Sequence, residues 1–325
     1  MRFPRIFATC LLLAFGVLPA TTALGQEAIP QGTMKIIAPF SPGGAADVLA
    51  RVIAPRLSRA YDKPVVVENR PGMGGNIGAD AVAKAKPDGL TLLLGTVGIH
   101  AAYSVYSKMT YSPSTELQPV IVLGEVPCVI VVHPSRPIHS LDDLLKYAKA
   151  NPGKLTFGSA GNGSSTHMVG ELFQQAAGIK LSHVPYRGSS AAMNDLMGGQ
   201  IDMMFELITT AAPIVQSGRI RALAVTSKVR SPSLPDVPTV SELAIPGFEG
   251  TGWFTVATAA GVPKDIVNRL NRDINAILKA PELQETWKRL ALSVMGASPE
   301  DAKNYFDSET IKWSKVIKAA NIRAD

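Results

Sequence analysis

Lys35-Ile36-Ile37-Ala38-Pro39-Phe40-Ser41-Pro42-Gly43-Gly44-Ala45-Ala46-Asp47-Val48-Leu49 is the stretch whose reading decides the fold. Its first six residues form an apolar run of the length a buried strand takes, and Pro42-Gly43-Gly44 then breaks the chain direction. After the break, Val48, Leu49, Val52, Ile53 and Leu57 recur at helical spacing. The same unit follows at once. Pro64-Val65-Val66-Val67-Glu68 reads as a strand, Asn69 to Gly75 as a glycine-rich loop and Asn76 to about Ala85 as a helix. A third strand, Leu90 to Leu94, ends at Gly95-Thr96-Val97-Gly98. A β-α-β-α-β order predicts a mostly parallel, doubly wound α/β sheet.

The pattern then pauses and restarts. Val120 to Val132 is apolar apart from Gly124, Glu125 and Pro127, which is long for one strand and suits a passage between two lobes. Beyond it come a helix over about 141–150, a strand at Leu155–Gly158, a loop at Ser159–Ser164 and a helix carrying Met168, Val169, Leu172 and Phe173. Ser182–Tyr186 is a strand, Ser189–Met197 a helix, and Ile201–Phe205 and Arg221–Val225 are strands. Ser231 to Gly250 is rich in Pro, Ser and Gly and reads as loop. Gly252–Ala257 is an apolar strand able to cross back, and helices at about Lys264–Lys279 and Pro299–Ala319 close the chain. A chain of this length usually forms two domains. The expected organisation is a bilobed α/β protein with a cleft: residues 26–130 plus 250–325 in one lobe, 131–249 in the other, each a doubly wound sheet flanked by helices.

Residues 1–25 read as a secretory signal: Arg2 and Arg5, an apolar run from Ile6 to Leu18 too short to span a bilayer, and Ala23-Leu24-Gly25 in the form of a cleavage site. Its removal takes two positive charges and lowers the formal net charge from +6 to +4. The remaining charge is scattered and aromatics are 6% of the chain, which argues against nucleic-acid binding. Cys128 is then the only cysteine, so no intrachain disulfide is possible, and its apolar surroundings read as core. The five histidines are dispersed, so neither a metal site nor another cofactor is expected.

Ligands of open α/β sheets sit at the carboxyl ends of strands. Three polar turns lie there and open helices: Ser41–Gly44, Gly95–Gly98 with Thr96, and Ser159-Ala160-Gly161-Asn162-Gly163-Ser164. Glycine lets the backbone approach closely, and a helix start offers free N–H groups to an anion. Nucleotide binding fits poorly. No turn continues as Gly-Lys-Ser/Thr, and Gly72-Met73-Gly74-Gly75-Asn76-Ile77-Gly78 has Ile77 where a dinucleotide fingerprint needs glycine. Hydrolase chemistry also fits poorly. Ser164, Ser165 and His167 are close, but Phe157 precedes Ser159 and His167 follows Ser165 where a nucleophile elbow needs glycine. The expected function is binding, not catalysis.

Three blocks carry a family resemblance in the first half and its junction: Ile37–Gly44 with Asp47, Val65–Gly72 with Gly74-Gly75-Asn76, and Ser159–Gly163 with His167 and Glu171-Leu172-Phe173. Later come His183-Val184-Pro185-Tyr186-Arg187-Gly188, Arg221–Thr226 and Leu234–Thr239. Together the chain resembles the receptors of tripartite tricarboxylate transporters, the Bug family. The resemblance implies a monomeric periplasmic-binding-protein (Venus-flytrap) fold that captures a small organic carboxylate in the periplasm and delivers it to membrane permease subunits. A ligand-loaded partner of a membrane sensor would use the same cleft. It implies contacts, some through bridging waters, at Phe40, Ser41, Gly43, Gly44, Asp47, Ser159, Ala160, Gly161, Ser164 and His167. Arg187 stands where the family often has Lys. Glu206-Leu207 stands where it often has Asp-Asn, so the distal wall of the pocket departs from the family pattern.

Overall fold

The computed structural model describes residues 29–324, so the expected signal at 1–25 lies outside the described residues. Ten strands form one curled sheet. They are β1 (Met34–Ala38), β2 (Val65–Asn69), β3 (Thr91–Thr96), β4 (Leu117–Val132), β5 (Thr156–Ser159), β6 (Ser182–Pro185), β7 (Met203–Leu207), β8 (Arg221–Val225), β9 (Thr251–Ala259) and β10 (Ser293–Val294). The main path runs β2-β1-β3-β9-β4-β7-β5-β6, with β8 and β10 added to β4.

The long apolar run proves to be a single strand of 16 residues shared by both halves of the sheet. Its first part, Leu117 to Pro127, pairs with β9, and its last part, Cys128 to Val132, pairs with β7. The Thr226 hydroxyl fixes the changeover. It accepts the Cys128 N–H at 2.9 Å and donates to the Gly250 carbonyl at 2.5 Å, where the chain enters β9. The parallel pairing expected from the β-α alternation holds for β1 with β2 and β3, and for β5 with β6 and β7. The crossing strands β4 and β9 run antiparallel to their neighbours, because each enters its half-sheet from the other lobe. The sheets are therefore mixed.

Helices cover both faces. The apolar stripe foreseen on the first helix is buried at Leu49, Ile53 and Leu57. Ser189–Met197 and Lys264–Lys279 form over the residues the pattern indicated. A helix at Ile208–Gln216, with Pro213 inside it, follows β7 directly and interrupts what reads as plain connecting chain. Cys128 is fully buried. Trp253 and Trp313 are too, and both indole N–H groups donate to Glu309, at 2.7 and 2.8 Å. That joins the crossing strand to the last helix, Pro299–Ala320.

Candidate functional site

The first wall of the cleft is the turn between β1 and the helix Ala45–Tyr61. Gly43 has φ of 82°, a left-handed conformation that glycine adopts without strain. No side chain caps the helix at Gly44. Instead Asp47, in the first turn, reaches back to accept the Gly43 N–H at 3.0 Å. The same carboxylate accepts Arg51 Nε at 3.0 Å and Asn69 Nδ2 at 3.0 Å. Burial pushes the Asp47 carboxyl up, but Arg51, the Gly43 N–H and Asn69 outweigh it and hold it below its usual value of 3.8. Asn69 also donates to the Phe40 carbonyl at 3.0 Å, tying β2 to the turn.

The facing wall is the turn between β5 and the helix Ser165–Ala177. Its anchors are hydroxyls and imidazoles. Ser159 Oγ lies 2.6 Å from His183 Nε2 and accepts the Gly161 N–H at 3.1 Å. Thr166 Oγ1 accepts the Ala160 N–H at 2.9 Å, and His167 Nδ1 accepts the Gly163 N–H at 3.1 Å. Ser164 caps the helix by accepting the His167 N–H. The rings of His167 and His183 stack at 3.8 Å. Burial, with His167 alongside, pushes the His183 pKa down to about 2.

Between the walls lies a cavity of about 350 Å³, counting its open mouth. Phe40, Gly44, Ala45, Ala46 and Thr96 line it from one side, with Phe254 of β9. Ala160, Ser164, Ser165, Thr166, Ser189 and Leu207 line it from the other. The amides of Gly43, Ala160, Gly161 and Gly163 are already bonded within their own turns. The donors at the cavity belong to the first turns that follow. N–H groups at the start of a helix have no intrahelical acceptor and carry the positive end of its dipole. The helices beginning at Ala45, Ser165 and Ser189 all start at this cavity. Thr96 Oγ1 is buried there and has no hydrogen-bond partner among the described residues. No Lys or Arg lines the cavity. Three helix starts and a spare hydroxyl, without a basic side chain, give the cavity an array of neutral donors whose chemistry suits one small anion.

The walls touch beyond the cavity. Ser41 Oγ donates to the Arg187 carbonyl at 3.2 Å, Ser190 Oγ to the Pro42 carbonyl at 2.8 Å, and Tyr106 OH to the Asn162 carbonyl at 2.9 Å. Gly98 has to be glycine for this approach: a Cβ there would lie 2.7 Å from the Gly74 carbonyl oxygen and 3.0 Å from that of Gly163. A second, more open cavity adjoins the first at Ser189 and holds about 860 Å³ with its mouth. Val48, Met193, Met197, Pro213 and Ile214 supply much of its wall, and Glu206 lies within it.

The structure thus brings Phe40, Gly44, Thr96, Ala160 and Ser164 to the first cavity and Gly43 and Glu206 to the second. Asp47, Ser159, Gly161 and His167 sit behind the turns, holding them. Ser41 and Arg187 meet at the rim, where the exposed Arg187 contributes its carbonyl. Sequence reasoning missed Ala45, Ala46, Ser165, Thr166, Ser189, Leu207 and Phe254. Most of these are the first helical residues after a turn that was recognised, so counting one or two positions past each glycine turn finds them. Phe254, on a crossing strand, has no local signal.

The fold and the cleft define a two-lobed solute-binding protein. A family model for the tripartite tricarboxylate transporter family receptor matches residues 49–322. Protein BugT of Bordetella pertussis is 36% identical over 316 residues, covering 95% of this chain and 97% of BugT. The structure of R. palustris Rpa4515 with adipate superposes with a TM-score of 0.87 at 38% identity, covering 90% of this chain and 98% of that one. The structure of the periplasmic binding protein BugD gives 0.86 at 34% identity, covering 91% and 100%. This chain belongs to the tripartite tricarboxylate transporter receptor family and is a Bug-type member of it. These relatives are binding proteins, not enzymes.

Proposed function

We propose that the chain is a periplasmic receptor that holds one carboxylate of a small organic acid in the first cavity and passes the acid, unchanged, to the permease subunits of a tripartite transporter. The observation that carries this reading is the convergence of three helix starts and the unpartnered Thr96 hydroxyl on a cavity with no basic side chain. Neutral donors in a fixed array suit a carboxylate, since each bond to a charged group contributes about 1.5–3 kcal/mol. The bound adipate of a relative 38% identical supports the ligand class. The leader-like residues 1–25 support export, and the shared strands β4 and β9 support a hinge between residues 26–130 plus 250–325 and residues 131–249. The receptor acts as a monomer in this reading.

A thermal-shift and calorimetric screen tests it. A small carboxylate at 100 times its dissociation constant stabilises by about 2.7 kcal/mol, and the matched alcohol or primary amide does not. Recovery of the acid unchanged after incubation is the second expected result. Stabilisation by sulfate or phosphate with none by any carboxylate would replace the ligand class.

A further inference from the structure

Glu206 is the penultimate residue of β7, lies at the wall of the second cavity and is fully buried. Its Oε1 accepts the Thr210 hydroxyl at 2.5 Å. Its Oε2 is buried and has no partner of hydrogen-bond geometry among the described residues. No Lys, Arg or His among the described residues forms an ion pair with it. The rest of the wall is apolar or neutral: Val48, Met193 and Met197, with Asn194, Thr209 and Thr210. A buried carboxylate without a countercharge is costly, and such groups are stabilised by whatever cation can reach them. Burial pushes the Glu206 carboxyl up to about 7, a rise that the hydroxyls of Thr210 and Ser189 and the Leu207 N–H only partly offset.

The two cavities share Ser189 in their walls, which places the distal cavity next to the first along the line of an extended ligand. Its ends would meet opposite chemistry: N–H and O–H donors at one, an unpaired acid at the other. We infer that Glu206 makes the distal cavity select an acid that carries a second, positively charged amino group, and makes it reject dicarboxylates. An ammonium donates to the open Oε2 and supplies the missing charge. A second carboxylate in that place finds no cation beside Glu206 and is held only where the pair keeps a proton between them, so the discrimination is sharpest above about pH 7, where Glu206 is ionised. This inference rests on the proposed carboxylate site in the first cavity and adds the chemistry of the far end.

Calorimetry at neutral pH with ligands matched in length tests it: hexanoate, adipate and 6-aminohexanoate, then butanoate, succinate and 4-aminobutanoate, each on the full mature protein and on Glu206→Gln. In at least one set the amino acid should bind about tenfold or more tighter than the dicarboxylate, the size of one added bond to a charged group. Glu206→Gln should erase that preference while leaving the monocarboxylate within about threefold, a difference too small for a charged bond. A dicarboxylate that binds the unaltered protein as tightly as its amino counterpart overturns the inference, whether or not the variant folds. So does a preference that survives in a folded Glu206→Gln. If no acid of either set binds, monocarboxylates included, it is the first-cavity reading that falls, and the inference with it.

Discussion

The two turns that face each other across the cleft are built from the same materials and locked by different ones. Each follows a strand, contains glycine and opens a helix at the cavity. The first is locked by charge: Asp47 gathers the Gly43 N–H, Arg51 and Asn69. The second is locked by hydroxyls and imidazoles: Ser159, Thr166 and the stacked rings of His167 and His183. In both, the inner amides are spent on holding the turn, and the residues that line the cavity are the next one or two. A glycine-rich turn thus serves as a frame for the helix start that faces the cavity.

The largest expected effect is at Gly161. Its φ is 119° and a Cβ would lie 2.9 Å from the Tyr186 carbonyl oxygen. Gly161→Val combines this clash with backbone strain of roughly 1–3 kcal/mol, so ligand affinity in calorimetry should fall by about 100-fold or more. Gly43→Val should cost less, because a Cβ there meets only the Ser190 hydroxyl at 3.4 Å and the cost is the strain at φ of 82°. Equal losses at the two positions would erase the distinction drawn between the turns.

Next comes the charged lock. Asp47→Ala removes the acceptor of three donors, and loss of a bond to a charged group costs about 1.5–3 kcal/mol. We expect affinity to drop by about tenfold or more, with Asp47→Asn in between. Unchanged affinity in Asp47→Ala would mean that the first turn holds its shape without the carboxylate.

Acid separates the locks further, and in an unexpected order. Asp47 has a lowered folded pKa, so its contribution is complete above 3.8 and is lost only as pH falls through the lowered value. His183 is neutral when folded, with a pKa near 2, and gains its proton on unfolding at its ordinary 6.5. Between those values the unfolded chain binds the extra proton, so stability falls as pH drops below 6.5. The slope is about 1.4 kcal/mol per pH unit for each such group. Buried His100, at about 3, adds a second. Buried Glu206, pushed up to about 7 in the fold, works the other way, because the folded chain holds its extra proton. Denaturant melts from about pH 6 to about pH 5 should therefore show the slope of about one net group, with His183→Phe removing nearly all of it. A melt independent of pH over that interval would contradict the buried neutral rings.

The smallest effect should be at Arg187, whose side chain is exposed and whose carbonyl makes the contact with Ser41. Arg187→Ala should change affinity by less than about twofold, the range expected for an exposed charge. A loss comparable to that of Asp47→Ala would return the guanidinium to the anion site.

Strands and helices with strong periodicity were legible in the sequence. The apolar stripe from Val48 to Leu57 reads at sight, and so does the run from Val120 to Val132. That one strand serves two half-sheets was not, because periodicity reports burial and not partners. The helix Ile208–Gln216 was hidden by Pro213 and by the β-branched Ile208, Thr209 and Thr210, which lower local helix propensity. At the site, the glycine turns announced the cleft. Which amides were free could not be read locally, since Gly43 loses its N–H to a carboxylate four residues on and Gly161 to a hydroxyl two residues back. Ser159 finds His183 only when β5 and β6 pair.

The strand order also dictates when the molecule can assemble. β9 lies between β3 and β4, yet it arrives more than 100 residues after either. A ribosome delivers β1, β2, β3 and the whole of the second half-sheet while that slot is still empty. Until residue 259 is available, β3 and β4 have no shared neighbour and the first half-sheet is a set of open edges. Such non-local pairing is slow and comes late. The topology therefore leaves the first half-sheet unclosed until about four-fifths of the chain is made, whereas the second, whose strands pair without β9, has all of them by Val225.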